Sequence, residues 1–303
     1  MRFNGLDLNL LVALDSLFKY RNVSAAARSL YISQSALSGA LKRLRTYFGD
    51  ELLVQNGRDM MLTPKADSLK EPVRSALLAI QSRITTPAAF EVGTSKRRFT
   101  LIASDYVETV LIDPLLRHAQ RAAPTVSFSI LRPSPASVEL FERGEADVFI
   151  VADPHLRDDH PSRLLFEDEA WCICWAENDL VGERLSAKEF ESIGQVATAF
   201  RAEGHASIFD ALLEEKNVRR RIEVQVPGFH MAAGAVIGTT RIAVVHRRLA
   251  QYFAQSLPLR LIPLPIELPP VQEFVQWHSL RQADQGLQWL LDTLCSLGRK
   301  LAA

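Results

Sequence analysis

The stretch Ser33-Gln34-Ser35-Ala36-Leu37-Ser38, followed by Lys42, Arg43 and Arg45, holds the densest set of recognition side chains in the protein. A glutamine amide can make paired hydrogen bonds to the edge of adenine, and serine hydroxyls can meet a base or a phosphate. Lysine and arginine suit phosphate oxygens. Leu37, Leu41 and Leu44 are spaced four and three apart, so on a helix they point inward. Gln34, Ser35, Ser38, Lys42 and Arg45 then share the opposite face. Ser24 and Ser33 open the two helices of this region, and Arg58 sits at the tip of a following hairpin, suited to a minor groove or the backbone. The competing reading is a small three-helix core with a solvated polar face.

A second group of residues could bind a small molecule. Ser104-Asp105-Tyr106 follows a strand and opens a helix, where backbone N–H groups and the Ser104 hydroxyl can hold a carboxylate. Ser104 as a plain helix cap is the equal alternative, and Asp105 must then face away or be hydrogen-bonded. Phe200, Arg201 and His205 follow another strand, and Phe229 and His230 lie between a strand and a helix. Phe149, Val151, Trp171 and His246 fall on strands, where they either line a cleft or belong to the core. Ser, Asp and His together raise the possibility of a hydrolase. The chain has no G-x-S-x-G elbow, phosphate loop or dinucleotide fingerprint, however, and neighbouring Ser104 and Asp105 are badly placed for a triad. The expectation is therefore no enzyme, no catalytic residue, no cofactor and no metal.

The elements that must position these groups are legible from periodicity. Leu10, Leu11, Leu14, Leu17 and Phe18 form one helical face, with Asp7 as its cap. A second helix runs from about Ser24 to Leu30, and its small Ala25-Ala26-Ala27 run lets another helix approach closely. Asn56-Gly57 between apolar runs marks a hairpin. Helix, helix, turn, helix, hairpin is a winged helix-turn-helix. Thr63-Pro64 starts a further helix whose Leu69, Val73, Ala76 or Leu77, Ile80 and Ile84 make a single apolar stripe, read as a dimer seam, with a kink or late start at Pro72. Residues 85–95 read as a linker. From Arg97 onward, strands and helices alternate over the remaining residues, which predicts an α/β unit with helices on both sheet faces.

The whole chain has 35 basic and 35 acidic side chains in 303 residues, so its formal charge is zero. That neutrality argues against a nucleic-acid partner only until it is divided. Residues 1–84 carry 12 Lys/Arg against 7 Asp/Glu, whereas residues 85–303 carry 23 against 28. The N-terminal quarter is basic and the remainder acidic, which suits two units with different partners. No apolar run reaches the ~18–20 residues of a membrane span. Asp7, Asn9 and Asp15 interrupt the first apolar stretch, unlike a signal peptide. Cys172, Cys174 and Cys295 suggest no disulfide framework, and a reduced, cytoplasmic setting is expected.

Residues 1–84 resemble the N-terminal region of LysR-type transcriptional regulators. The resemblance rests on Leu8-Asn9-Leu10-Leu11, Ser24-Ala25-Ala26-Ala27-Arg28-Ser29-Leu30, Ser33-Gln34-Ser35-Ala36-Leu37-Ser38, Leu41, Leu44 and Leu62-Thr63-Pro64. The opening Arg2-Phe3 through Asp15 is most similar to the branch of flavonoid-responsive nodulation activators and salicylate- and nitroaromatic-pathway activators. Gln55 departs from an arginine frequent in that family, and Arg45 from a glutamate. The resemblance implies a winged helix-turn-helix over 1–62, a linker helix and hinge over 63–95, and a two-lobed, periplasmic-binding-protein-like effector domain over 96–303. Lobe I would hold about 96–166 and 269–303, and lobe II about 167–268, with crossings near Leu165–Glu167 and Leu264–Leu268. It further implies promoter DNA as partner, a homodimer through the linker helix assembling into a tetramer, and RNA polymerase as a further candidate. An aromatic acid or phenolic inducer would sit between the lobes and close or reorient them, with a non-aromatic metabolite or anion as the alternative.

Overall fold

Asp7 accepts the Leu10 N–H at 3.0 Å, which caps helix α1 (Leu8–Tyr20). Asn22 does the same for α2 (Val23–Ser29), and Ser33 for α3 (Gln34–Phe48). These short polar side chains satisfy N–H groups that a helix start leaves without partners. The computed structural model describes residues 6–57, 59–80, 84, 90–199 and 207–302. Arg58, Phe200, Arg201 and His205 therefore lie outside the described residues. The chain divides into two units, Met1–Pro87 and Ala88–Ala303.

In the first unit, Leu10, Leu14, Leu17, Leu37, Leu41 and Leu44 enclose a core into which Ala26 and Ala27 fit without side-chain bulk. Gly49 ends α3 with φ +61. Strands β1 (Leu53–Asn56) and β2 (Asp59–Leu62) pair antiparallel with Asn56 opposite Asp59, and Gly57 takes φ +63. The turn thus lies one residue later than Asn56-Gly57 alone suggests. Asp50 accepts from the Leu52 N–H at 2.7 Å and the Thr63 hydroxyl at 2.6 Å, which binds the start of the wing to the start of α4 (Pro64–Ile80).

The stripe on α4 departs from the dimer-seam expectation. Val73 is buried, and Leu69 and Leu77 pack against the unit's own core. Arg74 meets Asp15 of α1 at 3.0 Å. A single apolar face needs cover, and for these residues α1 of the same chain supplies it. Pro72 lies inside an unbroken helix that starts at Pro64, so no late start occurs.

The second unit has two five-stranded sheets. The first is ordered β4-β3-β5-β12-β6: β3 (Arg98–Ile102), β4 (Ser127–Leu131), β5 (Val148–Ala152), β6 (Ser162–Asp168) and β12 (Val271–Gln276). The second is ordered β11-β7-β10-β8-β9: β7 (Ala170–Trp175), β8 (Gly194–Thr198), β9 (Arg221–Val226), β10 (Ile242–His246) and β11 (Leu259–Pro263). The connecting helices are α5 (Asp105–Val107), which runs through a π turn at Glu108–Ile112 into α6 (Asp113–Ala122), then α7 (Pro135–Glu142), α8 (Ala187–Ser192), α9 (Ile208–Glu215), α10 (Phe229–Val236) and α11 (Arg247–Ala254). Helix α12 (Gln285–Ala302) returns to the first lobe.

Strand β6 runs further than the sequence suggests. Its residues Leu165–Glu167 were expected at the first crossing, but they belong to the first sheet, and the chain crosses only at Glu169. The alternation is broken because Glu273 faces Phe166 while Phe274 faces Leu164, leaving Leu165 as the extra residue of a bulge. Leu165 and Phe166 are consequently both buried, and a period-two pattern cannot reveal them. The Leu165 carbonyl lies against Gly298 of α12, where a methyl group would meet it. Gly298→Ala is expected to destabilise the unit by about 1–3 kcal/mol through overpacking. A thermal melt checks this, and an unchanged midpoint refutes it.

One apolar cluster includes Phe99, Leu101, Val148 and Leu290 of the first lobe together with Ile173, Val196, Val245 and Leu249 of the second. The lobes therefore share a core rather than each having only its own.

Candidate nucleic-acid interface and ligand cavity

Gln34, Ser35, Ser38 and Lys42 are exposed along α3, and Ser24 is exposed in the first turn of α2. The Ser33 hydroxyl accepts the Ala36 N–H at 3.1 Å and meets the Ser35 hydroxyl at 3.0 Å, so its role in the structure is that of a cap. Arg43 is exposed and pairs with Asp7 at 3.0 Å. An ion pair this exposed is worth no more than about 1 kcal/mol, which leaves Arg43 able to exchange Asp7 for a phosphate.

Arg45 also has partners within the first unit. Its Nε donates to the Glu51 carbonyl at 2.8 Å, a terminal nitrogen donates to the Leu53 carbonyl at 2.8 Å, and the Glu51 carboxylate lies 3.1 Å from Nε. These bonds fasten the wing to the end of α3 and leave further N–H donors of the guanidinium for a phosphate.

In the second unit, a cavity of about 570 Å³ lies between the lobes. Of the residues expected there, Ser104, Phe149, Val151, Phe229 and His246 line it. Pro133, Val138, Arg157, Ile208 and Glu273 line it as well. Sequence reasoning missed these because only the β-sheet order brings the β12 carboxylate and the β5 strand end to one wall. A single buried acidic residue in a strand was the one available signal for Glu273.

Three expected residues act beside the cavity rather than in its wall. Asp105 is buried and accepts the His230 backbone N–H at 3.1 Å, with its carboxylate 3.3 Å from the His230 ring Nδ1. A carboxylate of the first lobe thus caps α10 of the second, favoured by the partial positive charge of a helix start. Gly228 has extended backbone, and a Cβ there would lie 2.6 Å from the Asp105 carboxylate, so glycine permits the approach. His230 also meets the Thr109 hydroxyl at 3.1 Å. Tyr106 is buried with its ring stacked on His246 at 3.5 Å, and its hydroxyl donates to Asp168 at 2.6 Å. Asp168 in turn pairs with Arg248 of the second lobe at 3.1 Å.

Trp171 is also displaced from its expected place. Its ring lies 5.2 Å beneath the Arg247 guanidinium, and its Nε1–H points to Glu169, outside the cavity wall. Ser104 accepts the Val107 N–H at 3.3 Å, which is the capping alternative.

Burial sets the protonation of the polar wall. It presses the His246 imidazole well below its usual value, so the ring is neutral. Burial, aided by the nearby Asp168 charge, pushes the Glu273 carboxyl up to about 8, so it keeps its proton at neutral pH. Among the described residues no group of three or more His, Cys, Asp or Glu side chains could hold a metal ion, and no helix is long and apolar enough to cross a membrane.

A winged helix-turn-helix with an exposed polar face on its third helix, in one chain with a two-lobed α/β unit that encloses a cavity, defines a ligand-responsive DNA-binding regulator. The chain belongs to the LysR family of bacterial transcriptional regulators and is not an enzyme. Residues 8–67 match the bacterial regulatory helix-turn-helix protein, lysR family, and residues 93–297 match the LysR substrate binding domain. The chain is 43% identical over 302 residues to nodulation protein D 1 of Rhizobium tropici, covering 100% of this chain and 98% of that protein. It is 41% identical over 304 residues to nodulation protein D 3 of Rhizobium meliloti (strain 1021), covering 100% and 97%. In fold it is similar to full-length OxyR from Pseudomonas aeruginosa, with TM-score 0.73, 17% identity and 97% of each chain covered. It is likewise similar to full-length CbnR in complex with its target DNA, with TM-score 0.60, 16% identity, and 97% of this chain and 99% of that chain covered.

Proposed function

We propose that the chain is a cytoplasmic, inducer-responsive activator that binds promoter DNA through α3 and the wing and senses a small aromatic acid or phenol between its lobes. The observation that supports the ligand reading is the inter-lobe cavity, whose walls are mostly apolar, include Phe149 and Phe229, and carry a few polar groups at Ser104, His246 and Glu273. A concave apolar site with a small number of placed polar groups is the usual form of a small-molecule site. His205, Arg201 and Phe200 stay in the proposal as further contacts.

The division into 1–62, 63–95 and 96–303 is retained, with the first lobe crossing moved to Glu169. Closure of the lobes as independent bodies would open their shared core, so we read the inducer as reorienting packed elements that bias oligomer geometry and hence DNA bending. Dimerisation through the linker region rests on Ile80 at the end of α4 and the exposed Ile84, neither of which belongs to the unit's own core cluster. Assembly to a tetramer and contact with RNA polymerase complete the proposal.

A mobility-shift titration with DNA from upstream of the gene tests the DNA arm, and the absence of salt-sensitive, sequence-preferring binding overturns it. A thermal-shift screen with aromatic acids and phenols tests the ligand arm. Stabilisation only by aliphatic compounds or inorganic anions overturns that one.

A further inference from the structure

Tyr31 stands in the turn between α2 and α3 and is 97% exposed. Leu30 before it packs against the unit's core, but the Tyr31 ring does not. One exposed aromatic by itself is ordinary. Here the backbone is unusual as well. The Tyr31 N–H donates to the Arg28 carbonyl at 3.2 Å, and the Ile32 N–H donates to the Ala27 carbonyl at 3.1 Å. These two bonds close α2 as a Schellman motif, which requires a left-handed residue directly after the helix cap. Tyr31 is that residue, with φ 55. Glycine takes this conformation without steric cost, whereas a bulky side chain is strained in it. At the end of α3 the chain does place a glycine, Gly49, with φ 61. The fold therefore gains nothing from a tyrosine at position 31. Side chains held out of the core on a strained backbone gather where a function needs them.

The surroundings of Tyr31 indicate its partner. Residues 31–36 are all exposed, and Gln34, three residues beyond Tyr31, opens α3. In a helix-turn-helix the first helix crosses the DNA backbone and the start of the second reaches base edges. The turn that joins them therefore passes the rim of the groove, where the phosphates lie. We infer that Tyr31 is a DNA contact, its phenol O–H donating to a backbone phosphate at the rim of the groove that α3 enters, with the ring against the adjoining sugar. This rests on the reading of α3 as the DNA-binding helix and adds a contact outside that helix. Tyrosine is among the side chains that bind phosphate oxygens, and such contacts fix register without reading sequence. The phenol is uncharged, so it displaces no counterion from the DNA, unlike a lysine or arginine.

The test uses the full-length protein, a duplex from upstream of the gene and a scrambled duplex of equal length, with mobility shifts at several salt concentrations. Tyr31→Phe removes only the hydroxyl. It is expected to weaken binding to both duplexes about tenfold, the usual worth of a hydrogen bond to a charged group, and to leave the salt dependence unchanged. Tyr31→Gly removes the whole side chain and relieves the backbone. It should bind at least as weakly as Tyr31→Phe, while its melting midpoint equals or exceeds that of the native chain. Weaker binding with undiminished stability is a combination that a structural role would not give. Native affinity in both variants overturns the inference and leaves α3 as the DNA helix. A lowered midpoint in Tyr31→Gly also overturns it, because the tyrosine would then serve the fold. A loss confined to the upstream duplex overturns it too, by making Tyr31 a base contact. A native chain that binds neither duplex overturns the reading of α3 as well.

Discussion

Replacing Arg97 by alanine is expected to cost the effector unit about 3 kcal/mol, the lower end of what breaking a buried ion pair costs. Arg97 donates to Asp147 at 2.8 Å and to both carboxylate oxygens of Asp284, the second at 2.8 Å. Arg281 lies across the same two aspartates at 2.7 and 2.9 Å. Asp147 also accepts the Thr100 N–H at 2.7 Å, and Asp284 accepts the Leu287 N–H at 3.0 Å, so the network binds β3 to the start of α12. Both aspartates are buried. Without Arg97, two carboxylates share Arg281 alone, and this is why the loss stays near the lower end. For a unit of this size, about 3 kcal/mol corresponds to a fall in melting midpoint of roughly 10 °C.

The acid behaviour gives an independent check. Against the desolvation that opposes it, the Arg97 guanidinium holds the Asp284 carboxyl at about 2, below its ordinary 3.8. A depressed folded-state value means that the stabilisation is complete above the unfolded value and is lost as the pH falls from about 4 to about 2. The gap in melting midpoint between the native chain and Arg97→Ala should therefore be wide at neutral pH and narrow across that acid window. Equal midpoints at neutral pH, or a gap that persists unchanged to pH 2, would refute the role given to this network.

Gln34→Ala is expected to weaken binding to the upstream DNA by about 1–3 kcal/mol, a loss of roughly 5- to 150-fold, and to relax preference at one base position. Gln34 opens α3, is exposed, and its side chain makes no hydrogen bond to a described residue, while the helix cap is Ser33 next to it. The helix should thus survive the substitution, and an unchanged melting midpoint verifies that. Lys42→Ala serves as the contrast. It should weaken all sequences about equally and reduce the salt dependence by about one counterion. Mobility shifts at several salt concentrations, on upstream and scrambled DNA, separate the two. Equal losses on both DNAs for Gln34→Ala would remove it from base readout.

Much of the first unit was legible because its determinants are local. Asp7, Ser33, the Leu37-Leu41-Leu44 stripe and the Asn-Gly signal each act within a few residues of themselves. The turn was misplaced by a single residue. In the second unit the alternation of strands and helices was legible, but β6 was not, and its residues read as a crossing between lobes. Its bulge at Leu165 depends on pairing with β12, more than a hundred residues away. Arg45 shows the same limit at the level of one side chain: its place on a polar helix face does not reveal that the carbonyls of Glu51 and Leu53 take two of its donors. The α4 stripe read as a dimer seam because periodicity reports an apolar face without reporting which chain covers it.

The sequence by itself determined the two-part organisation, the basic recognition unit, the alternating α/β unit and the family, since all four rest on composition, short-range periodicity and contiguous motifs. Only the tertiary structure decided which polar residues meet. It joined Asp105 to α10 across the lobes, withdrew Trp171 from the ligand wall, and placed His246 and Glu273 on the wall of one cavity. Those outcomes follow from sheet order and strand register, which are set by packing between segments far apart in the chain, and no local pattern of residue types encodes them.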